Sequence, residues 1–152
     1  MTKYKLSEIS EIKNGKKIRS REGSIPIYGS NGQIGVTNQA NSPKNSIIIG
    51  RVGANAGSVF FSENQSWISD NAMYLSSDTN KVDSIYLFYY LKNLDLNRLA
   101  HGSAQPLINQ KILNNLKLDL PCLKDQKKTS TRIALFDKKI ELNNKINANL
   151  VA

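Results

Sequence analysis

This chain of 152 residues has only one cysteine, Cys122, and one histidine, His101. The lone thiol excludes an internal disulfide and a cysteine-built metal site, and it fits a reducing cytoplasm. The lone imidazole removes most zinc-enzyme and catalytic-triad chemistry, so His101 reads as a loop residue or a binding contact and not as a general base. Apolar runs of the roughly 18 residues that a membrane-spanning helix needs are lacking. The opening MTKYKLSEIS has no secretory pattern. Neither membrane insertion nor secretion is indicated.

Catalytic signatures are missing as well. Residues 50–57, GRVGANAG, carry three glycines, but a phosphate-binding loop needs Gly-Lys-Ser/Thr at the start of a helix. Here Ser58, Val59, Phe60 and Phe61 follow, a strand pattern without a lysine, and the Gly-x-Gly-x-x-Gly spacing of a dinucleotide site is absent. These glycines read as a tight strand-to-strand connection. Asp70, Asp119 and Asp137 have no partners placed for nuclease or glycosidase work. No Asn-Pro-Pro-aromatic signature of an adenine methyltransferase occurs. The chain reads as a reader of something, with no catalytic residue, metal site or cofactor.

What the chain has in excess is positive charge, a net +9. Lys and Arg outnumber Asp and Glu 9 to 3 over residues 1–60 and 7 to 3 over 124–152, and are outnumbered 5 to 6 between. Lys13, Lys16, Lys17, Arg19 and Arg21 crowd a segment with glycine at 15 and 23, where a loop is expected. Such side chains neutralise phosphates and release counterions, which makes nucleic acid the first partner to consider; the alternative is an inert solvated surface.

Length predicts one domain with at most one appended element. Residues 4–6 read as a strand, and Ser7 as the N-cap of a helix with Leu6, Ile9 and Ile12 on one side, closed by Gly15. Residues 25–28 and 34–36 form a hairpin around a turn at 29–32, and 46–49 a buried strand. With 58–61, 67–68 and 72–75 they predict one mixed or antiparallel sheet over residues 24–75. Beyond it, Ile85, Leu87, Phe88 and Leu91 fit a helix capped by Asp83 or Ser84. After a loop at 101–106, residues 107–116 suit a helix with Ile108, Ile112, Leu113 and Leu116 inward, and 117–120 a last strand. The predicted class is α+β, with a head over 1–121 and a stalk over 122–152.

That stalk predicts a helix over 125–150, about 37 Å long. Ile133, Phe136, Ile140, Asn143, Asn147 and Leu150 follow a coiled-coil seam, with Leu135, Leu142 and Ile146 widening it. Asn at seam positions lowers stability but fixes register and strand number. The stripe either pairs with another helix or packs on its own head; its length, which would overhang a small head, favours a partner.

Taken together, these stretches resemble the specificity subunits of type I restriction-modification systems. The resemblance rests on YKLSEI at 4–9, YGSNGQIG at 28–35, IGRVGANAG at 49–57, WISDNA at 67–72, GSAQP at 102–106, Leu120 and Pro121 with Gln126 opening a helix, and FDKKIELNNKI at 136–146. It spans nearly the whole chain and corresponds to half of such a subunit, one target-recognition domain and one conserved helix. It implies a non-catalytic reader of double-stranded DNA that positions a methyltransferase subunit and, in the full complex, an ATP-dependent restriction motor subunit. Whole subunits of that family carry two recognition domains held apart by antiparallel helices. A homodimer through the stalk would restore that plan and read a palindromic bipartite site. One departure is residues 127–132, where Thr129, Ser130 and Thr131 have modest helix propensity and predict a frayed stalk base or an altered methyltransferase contact.

Within this frame Lys16, Lys17, Arg19 and Arg21 are the expected phosphate contacts. Ser30, Asn31, Gln33, Ser103 and Gln105 are the candidates for reading base edges. Arg51 either reads guanine or braces the glycine turn, the second being favoured, and Tyr28 and Trp67 belong to the core before any base stack. Two other readings stand beside this one: a stand-alone dimeric DNA-binding protein, and an interaction module without DNA binding.

Overall fold

Residues 46–50 set the architecture. In the computed structural model, which describes residues 1–102 and 104–151, every residue of this strand is buried. Ile47 and Ile49 join one apolar cluster and Ile48 another. Because successive side chains of a strand point to opposite faces, an uninterrupted apolar run needs cover on both.

The elements in chain order are β1 (Thr2–Lys5), α1 (Leu6–Ile9), β2 (Ser10–Asn14), β3 (Ile25–Gly29), β4 (Gly32–Thr37), β5 (Ser46–Gly50), β6 (Val59–Ser62), β7 (Trp67–Ile68), β8 (Ala72–Ser77), α2 (Ser84–Asn93), α3 (Gln110–Asn114), β9 (Lys117–Leu120) and α4 (Leu123–Val151), with short 3-10 turns at Gly53–Asn55 and Leu96–Leu99. The fold is α+β. An antiparallel sheet runs β2-β8-β5-β6, a second runs β4-β3-β7 with β3 and β7 parallel, and β1 pairs with β9.

Ile47, Ile49, Met73 and Leu75 face the larger core, where Leu6, Ile9, Leu87, Leu91, Leu113 and Leu118 meet them. Ile48, Ala72 and Tyr74 face the other side, where Ile68 and the half-buried Tyr28 cover them. The second sheet is thus the lid on the far face of β5 and β8. Trp67 lies in this region, 7% exposed, with its Nε1 donating to the Lys16 carbonyl at 3.1 Å.

Several sequence expectations are corrected. The predicted single sheet over 24–75 is two, because residues 15–24 and 38–45 carry the β3-β4 hairpin onto the opposite face of β5. The first helix ends at Ile9. Ser10 turns extended, with its hydroxyl donating to the Leu6 carbonyl at 2.8 Å, and Ile12 sits in β2 opposite Leu75. Ser7 lies inside that turn and caps nothing; the helix starts at Leu6, and Glu8 accepts the Lys5 N–H at 2.5 Å. The helix expected over 107–116 shrinks to Gln110–Asn114, started by the Asn109 side chain accepting from the Ile112 N–H at 3.0 Å. Ile112 and Leu116 are only half-buried.

α2 is capped by Asp83, whose carboxylate accepts from the Tyr86 N–H at 2.9 Å. α4 leans on it through the buried Gln126 and Ser130, then leaves the head. Its 29 residues extend about 43 Å. Its base is regular, which corrects the fraying expected from Thr129, Ser130 and Thr131: Ser130 and Thr131 both donate to the Lys127 carbonyl, at 3.1 and 2.8 Å, within an unbroken helix. Beyond the head, Leu135, Phe136, Ile140, Leu142, Ile146 and Leu150 are all exposed, Phe136 by 68% and Leu150 by 78%.

Candidate nucleic-acid interface

Four loops far apart in sequence are bonded into one surface, and Asn71 joins three of them. Its carbonyl accepts from the Ser30 hydroxyl at 2.5 Å and from the Arg51 N–H at 2.9 Å. This ties the β3-β4 turn and the β5-β6 connection to the turn before β8. The Val52 N–H approaches the same Ser30 oxygen at 3.4 Å. On the other side, the Arg51 carbonyl accepts from Ile108 N–H at 2.9 Å, and the Gly53 N–H donates to Pro106 at 3.0 Å. The 101–107 loop is closed by reciprocal backbone bonds between His101 and Leu107, at 3.0 and 2.9 Å.

The turn geometry needs glycine at two points. Gly32 has φ +94° with the Phe60 ring beneath it, and Gly57 has φ +93° with the backbone of Leu96 and Asn97 against it. Neither position accepts a side chain without strain. The glycines of 50–57 therefore make the tight connection the sequence indicated, a hairpin between β5 and β6 with a 3-10 turn at its tip.

On this surface Asn31, Gln33 and Gln105 are exposed, as are Asn55, Asp70, Asn71 and His101. Ser30 is half-buried and its hydrogen is spent on Asn71, so it positions the turn beneath its neighbour Asn31. Arg51 is half-buried; its Nη1 donates weakly to the Asp70 carbonyl at 3.4 Å, in keeping with bracing, while its buried Nε has no partner among the described residues. Ser103 lies outside the described residues. Sequence reasoning missed the Asn71 junction itself. Residues 67–72 stand out as a motif, yet a backbone carbonyl that accepts two loops leaves no trace in side-chain pattern.

The basic segment borders this surface. Lys16 N–H donates to the Ile68 carbonyl and Gly15 N–H to Ala72, both at 2.9 Å, which anchors the start of the segment beside the 69–72 turn. Arg21 Nη1 reaches the Ile34 carbonyl at 3.2 Å and brings the segment back along β4. Lys16, Lys17, Arg19 and Arg21 are exposed. Lys13 is partly neutralised by Glu11 at 3.1 Å, a hydrogen-bonded pair that raises its pKa. The arrangement offers side-chain amides on turns next to exposed cations, which suits a polyanion with readable edges.

Among the described residues no three of His, Cys, Asp and Glu gather as a metal site, and Asp70, Asp119 and Asp137 stand on separate elements. Among them, too, no helix is long and apolar enough to cross a membrane. Of the seam residues, Ile133 lies half-buried beside Tyr86, Tyr89 and Tyr90 of α2, whereas Phe136, Ile140, Asn143, Asn147 and Leu150 are exposed.

A family model for the type I restriction modification DNA specificity domain matches residues 1–152. The chain belongs to this family. Among curated specificity subunits it is 32% identical to the type I restriction enzyme MjaVIII subunit of Methanocaldococcus jannaschii over 104 residues, 67% of this chain and 24% of that one. It is 30% identical to the EcoprrI subunit of Escherichia coli over 140 residues, 87% of this chain and 35% of that one. The fold matches the crystal structure of the type I restriction-modification S subunit from M. genitalium with a TM-score of 0.81 at 21% identity, over 92% of this chain and 40% of that one. This specificity domain therefore spans between about a quarter and two-fifths of the length of these proteins.

Proposed function

We propose that this chain reads one half-site of double-stranded DNA for a type I restriction-modification assembly. Residues 1–121 are the reading head, and residues 122–152 join it to a second unit of the same kind. The observation that carries the reading is the four-loop surface bonded through Asn71, Arg51 and Gly53, bordered by Lys16, Lys17, Arg19 and Arg21, in a chain of the DNA specificity family. Phosphate contacts from the basic segment set position, Asn31, Gln33 and Gln105 face the base edges, and Arg51 braces the turn beneath them.

A second copy of this chain, held antiparallel along α4, supplies the second head, and the homodimer reads a palindromic bipartite site. The assembly then directs a DNA methyltransferase subunit, and a restriction motor subunit where one is present, to that site; this chain contributes recognition and no chemistry. The decisive experiment is adenine-methylation mapping of the source genome with and without the gene. Loss of one symmetric, gapped motif supports the reading. An unchanged methylome, with no sequence-specific DNA binding by the purified protein, rejects it.

A further inference from the structure

The structure points to a socket at the head-stalk junction. α2 and α4 leave between them an open groove of about 500 Å³, lined by Tyr86, Tyr89, Tyr90, Lys92, Asn93 and Ile133. The polar ends of two of these rings are occupied inside the chain: the Tyr89 hydroxyl bonds the Asp137 carboxylate, and the Tyr90 hydroxyl accepts the Asp119 N–H at 3.4 Å. The Tyr89 ring meets Phe88 at 4.7 Å between centroids and the Tyr90 ring meets Tyr86 at 6.1 Å, and the remaining aromatic surface lines the open groove.

The occupant is argued from the seam. Ile133, the first seam residue, is itself part of the groove wall, so the exposed stripe of α4 runs directly into it. From Ile133 to Leu150 the seam covers about two and a half heptads and includes two Asn, which lower the stability of a helix pair. A dimer held by this stripe alone is marginal and needs added contact at its ends. In an antiparallel pair that uses every seam position, Ile133 faces Leu150, Phe136 faces Asn147 and Ile140 faces Asn143 of the second copy. Leu150, at 78% exposure, then arrives at the mouth of the groove. Asn143 and Asn147 then sit opposite Ile140 and Phe136, at the cost in stability that polar seam positions carry.

We propose that the groove of Tyr86, Tyr89, Tyr90 and Ile133 receives the Leu150 end of α4 from a second copy, giving two plug-and-socket contacts that flank the helix pair. This rests on the homodimer reading above and adds its register. The competing register pairs Asn143 with Asn147 of the second copy, brings Leu150 to Ile140 and leaves the groove empty.

The test is disulfide trapping in the full chain with Cys122→Ser, mixing an Ile133→Cys preparation with a Leu150→Cys preparation. Asn93→Cys, exposed on the groove rim, serves as the second probe in place of Ile133→Cys. A linked dimer in the mixtures, at least tenfold above either variant alone, supports the socket. Linkage of Leu150→Cys to Ile140→Cys and to neither groove probe overturns it. Sedimentation of the unmodified chain separates the two levels: a dimer without groove linkage overturns the socket alone, and a monomer at micromolar concentration overturns the homodimer reading and the socket with it.

Discussion

The backbone N–H of Asp83 donates to the side-chain carbonyl of Gln126 at 3.0 Å, joining the start of α2 to the first turns of α4. The Gln126 amide nitrogen donates in turn to the Pro121 carbonyl at 2.9 Å, and the side chain is 1% exposed. One buried amide therefore fixes where the stalk leaves the head. Gln126→Ala strands a donor at Asp83 and an acceptor at Pro121, which is expected to cost about 1–3 kcal/mol. Urea unfolding should show the loss, and amide exchange should speed up at Leu123–Ser130 before it does in β5. Unchanged stability would mean that water replaces the amide and that the exit angle is set by packing alone.

Charge removal from the basic segment should act on the salt dependence of DNA affinity more than on sequence preference. Each of Lys16, Lys17, Arg19 and Arg21 that neutralises a phosphate contributes about 0.9 to the slope of log K against log salt. Replacing Lys16 and Lys17 by Ala should lower that slope by about 2, with similar weakening on any sequence. The readout is fluorescence anisotropy across a salt series on two unrelated duplexes. Arg21→Ala carries a second effect, because its bond to the Ile34 carbonyl also holds the segment along β4.

Ser30 and Asn31 are adjacent and should fail differently. Ser30→Ala removes the hydroxyl that ties its turn to Asn71, so it should lower stability by about 1 kcal/mol and weaken binding to all sequences. Asn31→Ala removes an exposed side chain with no role in the fold, so melting should be unchanged while discrimination at one base pair falls by about 1–3 kcal/mol. Calorimetry combined with a binding-site selection on both variants distinguishes these outcomes. Reversed behaviour would move the reading edge from the tip of the turn to its base.

The elements that were legible in the sequence are those where one periodicity had no rival. The apolar run of β5 reads as a strand buried on both faces, and the uninterrupted stretch after Pro121 reads as one long helix, expected over 125–150 and found at Leu123–Val151. Leu6, Ile9 and Ile12 keep helical spacing, and nothing local reveals that Ser10 turns the chain so that Ile12 meets Leu75 in a sheet. The division into two sheets is likewise non-local. It depends on which face of β5 the β3-β4 hairpin covers, and Ile47 and Ile48 are equally apolar. At the candidate site the side-chain types on the turns were visible, but the bonds that gather the turns run to the carbonyls of Asn71, Arg51 and Pro106, where residue identity carries no signal.

The stalk gives the sharpest test of how the chain associates. Ile133 is half-buried against α2, so a charge there would disturb the head as well as any partner. Phe136 and Ile140 are 68% and 56% exposed, and a charge at either leaves the fold of a single copy intact. Phe136→Glu with Ile140→Glu places four carboxylates along the seam of a homodimer, each beside apolar or amide neighbours. Desolvating them costs far more than a pair of short helices can recover. The double variant is expected to sediment as a folded monomer with unchanged melting of the head. Its affinity for a single half-site should match that of the parent, and the advantage of a two-half-site duplex, 10²-fold or more when both heads engage together, should vanish. A variant that keeps both the dimer mass and the two-site advantage would place the dimer contact elsewhere on the molecule.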